Sequence, residues 1–189
     1  DLNNGFTIDA WINVADVNGL HPICEWNSNP NVSPPLFTPI GVIFDLGTTP
    51  SSQGELTCLI NDTAGVGHLI TSPANTMVAN TWQHVGVTYD RNSGVATLYR
   101  NGLVVQQQNL GSFIPQTSYN LWVGYRPGDY AGSWTYHTIL GGPLDELTIY
   151  GRALSGSEMQ AIYQNGSAGK FDPNPGLSSP QNFSEPRNS

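Results

Sequence analysis

The sequence predicts an all-β, antiparallel β-sandwich with one short helix near its C-terminal end. Strand-like segments recur about every ten residues with turn residues between them, a spacing typical of sandwiches. One segment, residues 155–166, carries the start and stop signals of a helix instead. A chain of 189 residues is long enough for one domain to bury a substantial core.

The first predicted strand is marked by strict alternation. Every second residue from Phe6 to Val14 is apolar, and Thr7, Asp9, Trp11 and Asn13 lie between them. This is the two-residue period of a half-buried strand. An Asn101-Gly102 pair later in the chain is the strongest two-residue hairpin signal. The complete set of predicted strands covers residues 6–14, 22–26, 40–46, 55–60, 68–72, 82–89, 95–100, 103–108, 119–125 and 144–150.

The predicted helix follows the last strand directly. Ser155 lies three residues before Glu158, which is the spacing of a capping box. Leu154 and Met159 occupy the positions of a hydrophobic staple on either side of that cap. Gly166 stands where a helix-terminating glycine is expected.

The composition excludes two classes of partner. Only 11% of the residues are charged, the formal net charge is −8, and there are six Lys and Arg residues. Binding to duplex nucleic acid needs clustered Lys and Arg, so nucleic acid is not an expected partner. No run of about 18 apolar residues occurs, so no membrane insertion is expected. Low Lys with many Asn, Ser, Thr and Gly residues suits an extracellular β-protein.

Cys24 and Cys58 lie in two different predicted strands. One interpretation is a disulfide that joins the strands in an oxidising compartment. The other is a pair of buried free thiols, since Cys is among the most frequently buried residues. The sequence leaves both open.

Several segments agree in their order and spacing with those of a known family. The chain resembles the laminin-G-like, concanavalin A-like lectin/glucanase domains, in particular their bacterial laminin-G-like group, over about residues 2–170. The segments that carry the resemblance are Phe6-Thr-Ile-Asp-Ala-Trp11, Trp82-Gln-His-Val-Gly-Val-Thr-Tyr-Asp90, Leu98-Tyr-Arg-Asn-Gly102, Val123-Gly124, Gly142-Pro-Leu-Asp-Glu-Leu-Thr-Ile-Tyr150, Arg152-Ala-Leu-Ser155 and Glu158.

The resemblance implies a jelly-roll of two curved antiparallel sheets of about six or seven strands each. It places the domain at residues 1–170, without the additional first strand that the family usually has, and leaves residues 171–189 as a Pro- and Ser-rich tail or linker. It further implies a secreted or cell-surface location within a larger multidomain protein, binding to glycans or extracellular proteins, a role in cell adhesion for some members, and calcium as a cofactor in many.

Asp145 is the candidate metal ligand. In a regular strand it shares a face with Leu147 and Ile149, which is the expected core face. A carboxylate on that face needs a partner. The partner is either a calcium ion, held with backbone carbonyls, or backbone amides that the carboxylate caps at the sheet edge.

The loop over residues 126–138 is the candidate ligand site. Its aromatic residues Tyr130, Trp134 and Tyr136 lie among glycines, with Arg126 and Asp129 beside them. Aromatic rings in a loop can stack on the apolar faces of sugars, while Arg and Asp pair with sugar hydroxyls. Alternatively, the rings fold back and pack on the sandwich.

An enzyme is not expected. Glycoside hydrolases need two carboxylates about 5–10 Å apart, and no strand of this sequence carries such a pair on one face. The sequence therefore favours a non-catalytic, lectin-like, carbohydrate-binding module. The alternative is a structural or adhesive protein-interaction domain without a sugar site.

Overall fold

A computed structural model describes residues 2–27, 40–47, 49, 51–126 and 138–166 of the chain. Its elements are β1 (Gly5–Ile12), β2 (His21–Asn27), β3 (Ile40–Leu46), β4 (Leu56–Asn61), β5 (Gly67–Thr71), β6 (Gln83–Asp90), β7 (Val95–Arg100), β8 (Leu103–Asn109), β9 (Asn120–Val123), β10 (Tyr125–Arg126), β11 (Thr138–Ile139), β12 (Leu144–Tyr150) and α1 (Gly156–Asn165).

The strands form two antiparallel sheets, as the resemblance to jelly-roll domains implies, but the described residues place five strands in each sheet where about six or seven were expected. The first sheet has the order β12-β1-β6-β7-β8, and the second has the order β5-β4-β3-β2-β9. A separate two-stranded ribbon pairs β10 with β11. The apolar side chains of both sheets form one core, in which Phe6, Phe44, Leu56, Tyr89 and Leu98 are fully buried.

The predicted strand at 119–125 is divided in two. Gly124 has a φ of +65°, a conformation that glycine adopts without a Cβ clash, and it interrupts the strand between β9 and β10. The backbone N–H of Gly124 still donates to the carbonyl of Ile23 at 2.9 Å. β10 thereby leaves the line of β9 and pairs with β11, a strand that the sequence did not predict.

The helix begins and ends where the sequence predicts. The Ser155 side chain accepts a hydrogen bond from the Glu158 backbone N–H, and the Glu158 carboxylate accepts one from the Ser155 N–H. Gly166 follows α1 with a φ of 50°. Leu154 and Met159 belong to one small buried cluster, as expected of a staple.

α1 packs on the outward face of the first sheet. A Cβ at Gly86 of β6 would lie 2.3 Å from the Met159 methyl group, so a glycine there makes room for the helix. Beneath α1, His84 Nε2 lies 3.0 Å from Asp9 Oδ1, and both side chains are fully buried. Trp11 stacks on Tyr163 of α1 with 5.7 Å between the ring centroids. This face is therefore occupied by the helix.

The two cysteines are buried free thiols, which corrects the disulfide alternative. Cys24 lies opposite Phe44 in β3, and Phe44 lies opposite Cys58 in β4. The whole of β3 therefore separates them, which places their Cα atoms about 9–10 Å apart. A disulfide spans less than about 7 Å between Cα atoms. Burial also raises the pKa of both thiols.

Candidate functional site

The outward face of the second sheet carries the most unusual group of side chains in the described part of the chain. Side chains of a strand alternate between faces, so with Cys24, Phe44 and Cys58 in the core, Glu25 and Asp45 point outward. On an uncovered sheet such residues are solvated, but Glu25 is 0% exposed and Asp45 is 4% exposed.

A single guanidinium joins these two carboxylates. Arg126, the last residue of β10, donates from Nε to Glu25 Oε1 at 2.7 Å and from Nη2 to Asp45 Oδ2 at 2.9 Å. A further contact joins Nη2 to Glu25 Oε1. Arg126 is itself only 9% exposed. We call Glu25, Asp45 and Arg126 the buried charge cluster.

Neighbouring polar groups hold the carboxylates in place. Thr57, which lies opposite Asp45 on β4, donates from its hydroxyl to Asp45 Oδ1. Asn27 donates from Nδ2 to Glu25 Oε2 at 2.6 Å, and Trp122 donates from Nε1 to the Asn27 carbonyl at 3.3 Å. The second amide atom of Asn27, Oδ1, is buried and has no hydrogen-bond partner among the described residues.

Burial sets the protonation behaviour of the cluster. Removal from water raises the pKa of Asp45 to about 6, against the lowering effect of Arg126. Burial raises the pKa of Glu25 as well. Burial alone would lower the pKa of Arg126, but the adjacent Glu25 and Asp45 outweigh it and raise that pKa, so Arg126 stays cationic. With both carboxylates ionised, the cluster has a formal charge of −1.

An aromatic side chain borders the cluster at the edge of the sheet. Trp122 of β9 lies directly opposite Glu25 of β2 and shares its outward face. It is half-buried, and its ring centroid lies 5.9 Å from that of Tyr125. Trp122 therefore packs against Tyr125, while part of the residue stays accessible beside the buried charge cluster.

Most of the predicted ligand site lies outside the described residues. Tyr130, Trp134, Tyr136 and Asp129 belong to the segment 127–137, so their roles stay predictions. The ends of this segment are joined, because Arg126 of β10 pairs with Thr138 of β11. The predicted loop site and the buried charge cluster therefore meet at the backbone of Arg126.

The role of Arg126 in the structure differs from the role that the sequence predicts for it. The sequence predicts a loop residue with a guanidinium available to sugar hydroxyls. The structure places Arg126 in a strand, with its guanidinium bonded to Glu25 and Asp45 beneath the surface. Its first role is to neutralise buried charge.

The prediction that Asp145 faces the core is wrong. Two residues of β12, Glu146 and Leu147, lie opposite the single residue Ala10 of β1, which is a β-bulge. Glu146 adopts a φ of +51° there, so the alternation shifts by one residue and Asp145 becomes exposed. Its Oδ1 accepts a hydrogen bond from the Glu146 backbone N–H at 2.8 Å.

The surroundings of Asp145 do not fit a calcium site built from carboxylates. Among the described residues, no group of three or more His, Cys, Asp and Glu side chains is arranged to hold a metal ion. Calcium prefers six to eight oxygen ligands with several carboxylates among them. A calcium role for Asp145 would therefore depend on ligands from elsewhere, and it stays a prediction.

Sequence reasoning missed Glu25 and Asp45 as members of a site. Each lies alone in an apolar strand, and the bonds to Arg126 connect positions 101 and 81 residues apart. The available signal was the composition of β2 and β3, where a single acid interrupts an almost continuous apolar run. Such a run is typical of a strand covered on both faces.

The architecture of two five-stranded sheets and one docked helix agrees with a known superfamily. A family model described as the concanavalin A-like lectin/glucanases superfamily matches residues 1–160. The chain belongs to this superfamily. A sequence comparison of this concanavalin A-like chain with curated proteins gave no match.

Solved structures share the concanavalin A-like fold at low sequence identity. The CBM40 module of the Ruminococcus gnavus IT-sialidase, bound to α2,3 sialyllactose, is 15% identical with a TM-score of 0.63, and the match covers 85% of this chain and 83% of that one. A heptameric pentraxin from Limulus polyphemus is 18% identical with a TM-score of 0.60 and coverages of 85% and 70%.

The NanB sialidase of Streptococcus pneumoniae is a third example, with 18% identity and a TM-score of 0.63. The match covers 84% of this chain but 24% of the sialidase. At these identities the likeness establishes the fold. Among the described residues, no helix of this concanavalin A-like chain is long and apolar enough to cross a membrane.

Proposed function

We propose that this chain is a non-catalytic, lectin-like, carbohydrate-binding module of a larger secreted or cell-surface protein. The observation that carries the proposal is the buried charge cluster on the outward face of the second sheet, beside the partly accessible residue Trp122. Structural neighbours that include a carbohydrate-binding module support it. On this proposal a glycan occupies the region between Trp122 and the 126–138 loop.

The ring of Trp122 and the rings of the loop supply complementary contacts in this proposal. Sugar C–H faces are apolar and pack on aromatic planes, while hydroxyls pair with polar groups at the rim. Trp134, Tyr130 and Tyr136 are the loop residues assigned to stacking, and Asp129 is assigned to hydroxyl binding. The cluster beneath fixes Arg126 and thus one end of the loop.

The buried charge cluster is also relevant to catalysis. It brings together two carboxylates, Glu25 and Asp45, that lie on different strands and far apart in the sequence. Glu25 and Asp45 bond to the same guanidinium, so Arg126 occupies the space between them. A hydrolase needs that space for the scissile bond and, in inverting enzymes, for a water molecule. Both carboxylates are also buried. These features support a binding role, with no hydrolase activity expected.

A second candidate is an adhesive protein-interaction domain. Leu121 and Val123 on the edge strand β9 are exposed, and so is Ile139 on β11. Exposed apolar side chains on an unpaired edge are features of protein contact surfaces. The carbohydrate-binding module should bind glycans in a way that depends on its aromatic residues. The protein-interaction domain should not.

The test is a glycan array with the wild-type chain and Trp134→Ala, in calcium and in chelator. Truncation of an aromatic residue at a binding centre typically costs about 2 kcal/mol, or roughly 30-fold in affinity. We expect Trp134→Ala to fold and to lose binding by about that factor. Undiminished binding would remove the loop from the site. Unfolding of the variant would place the ring in the core and favour the interaction domain. Dependence on calcium would show in the chelator arm.

A further inference from the structure

The sandwich is open along one side, between the edges of its two sheets. β9 is the outermost strand of the second sheet, and β12 is the outermost strand of the first. The two strands lie on the same side, because Leu140 donates its N–H to Gly124 directly after β9, and Leu144 already begins β12. The segment 141–143 therefore connects the two edges across about 10 Å, which is the usual separation of packed sheets.

Apolar side chains on the core side of β9 are exposed at this opening. Val123 lies opposite Cys24 and Leu121 lies opposite Trp26, and both of these partners belong to the core. Because opposite residues share a face, Leu121 and Val123 point to the interior side of the sheet, yet they are 41% and 46% exposed. On the other side of the sandwich, Ile70 of the edge strand β5 is fully buried. The β9 side, unlike the β5 side, leaves interior-facing side chains uncovered.

The backbone of β9 is open in the same direction. The Gly124 N–H donates to the carbonyl of Ile23 in β2 at 2.9 Å. Backbone groups alternate in direction along a strand, so Val123 and Leu121 direct their N–H and C=O groups away from β2. Among the described strands, β9 is paired with β2 alone. These two residues therefore offer both backbone hydrogen-bonding groups and apolar side chains to an added strand.

β9 also lacks the features that protect edge strands from pairing. Bulges, charged side chains and prolines are the common forms of protection. β12 has two of them, the bulge at Glu146 and the exposed carboxylate of Asp145. β9 reads Asn-Leu-Trp-Val and keeps a regular register against β2. An added strand is therefore expected at β9 rather than at β12.

The surroundings of the opening favour a cationic partner. Asp145 and Glu146 of β12 are acidic, and the whole chain has a formal net charge of −8. Arg126 and Arg152, which follow the two edge strands along the chain, are already paired with carboxylates. Lys or Arg residues on a partner are therefore attracted to this side of the protein, most strongly at low ionic strength.

From these observations we propose that the edge of β9 binds an extended segment of another protein, which adds a further strand to the second sheet. The segment has apolar residues at alternate positions, which fill the opening beside Leu121 and Val123, and it carries Lys or Arg residues at its ends. Main-chain hydrogen bonds to β9 supply affinity, and the alternate side chains supply specificity. This inference is independent of glycan binding.

The probe is a synthetic peptide of alternating Val and Thr residues with Lys at both ends. Fluorescence anisotropy reports its binding to the full chain. One control peptide has Glu in place of Lys, and we expect it to bind about tenfold more weakly at low salt, with a smaller difference at high salt. A second control has Pro in place of a central Val. Because Pro cannot donate to the ladder, this peptide should also bind about tenfold more weakly.

Substitutions on β9 test the position of the site. Val123→Lys introduces the residue type that commonly protects edge strands, and it should weaken peptide binding by about tenfold or more. Val104→Lys is the matched control, because Val104 is a 54% exposed valine on β8, an edge strand of the first sheet. It should leave the affinity unchanged. Val123→Pro removes an N–H that points away from β2, and it should also weaken binding. If neither Val123 variant folds, Leu121→Lys takes their place.

The outcomes distinguish the possible occupants of the edge. Absence of peptide binding, equal affinity for the alternating and the Pro-containing peptides, or undiminished binding by folded Val123→Lys would overturn the inference. Dimerisation of the chain in sedimentation experiments, abolished by Val123→Lys, would assign the edge to a second copy. Tighter binding of a peptide with the sequence of residues 167–189 would assign it to the C-terminal segment of the chain itself. Either assignment would overturn the proposal of a separate partner protein.

Discussion

Arg126→Gln should destabilise the fold far more than its position next to a loop suggests. The substitution removes the cation that bonds to Glu25 at 2.7 Å and to Asp45 at 2.9 Å, and both carboxylates stay beneath the surface. Removal of one partner from a buried ion pair typically costs about 3–5 kcal/mol, because the remaining charge is uncompensated. We expect a loss in that range at pH 7.

The matched control is Arg152→Gln. Arg152 also pairs with a carboxylate, at 2.6 Å from Glu158, but its side chain is 53% exposed. Exposed pairs contribute about 0–1 kcal/mol. Urea unfolding of wild type and both variants at pH 7 and pH 5 provides the measurement. The deficit of Arg126→Gln should shrink at pH 5, where the carboxylates can take up protons. Equal losses for the two variants would refute the reasoning about burial.

Four further predictions concern stability. Because burial raises the pKa of Asp45 from 3.8 to about 6, the folded state holds that proton more strongly, and the resulting stabilisation is greatest below about pH 4 and falls as the pH rises through 6. The difference is about 3 kcal/mol, and Asp45→Asn should flatten the profile measured by urea unfolding; an unchanged slope would contradict this. Ser155→Ala should cost about 1 kcal/mol through the lost cap, and an unaltered melting temperature would show that the cap contributes nothing. Asp145→Ala should change stability by less than about 0.5 kcal/mol without calcium, whereas Glu146→Gly should stabilise by about 1 kcal/mol through relief of its positive φ. Thermal melts in chelator and in calcium test both substitutions, and a large loss for Asp145→Ala in chelator would restore a core role for that carboxylate.

The elements with local signals were predictable from sequence. The capping box needs only Ser155 and Glu158, three residues apart, and the structure contains both of its hydrogen bonds. The existence of β1 likewise follows from its own alternating pattern, but the expectation that it is half-buried is wrong, because Thr7 and Asp9 on its outward face are fully buried. In each case, neighbouring residues along the chain supply the interactions that define the element.

The features that sequence reasoning missed depend on distant contacts or on a local exception. The Glu146 bulge reverses the face of Asp145, and a glutamate with positive φ has no residue-type signal comparable to glycine. The buried charge cluster joins β2, β3 and β10, whose order in space follows from sheet topology. Because each acid occurs alone in its strand, the sequence could not reveal that one arginine neutralises both.

The most direct test of the central claim is the glycan affinity of two tryptophan variants. Trp122→Ala removes the ring beside Glu25 on the outward face of the second sheet. Trp82→Ala removes a 44% exposed ring that precedes β6 of the first sheet. Isothermal titration of both folded variants with the glycan that binds wild type best should show about a 30-fold loss for Trp122→Ala and wild-type affinity for Trp82→Ala. Wild-type affinity for Trp122→Ala, or a loss for Trp82→Ala alone, would contradict a glycan site on this face.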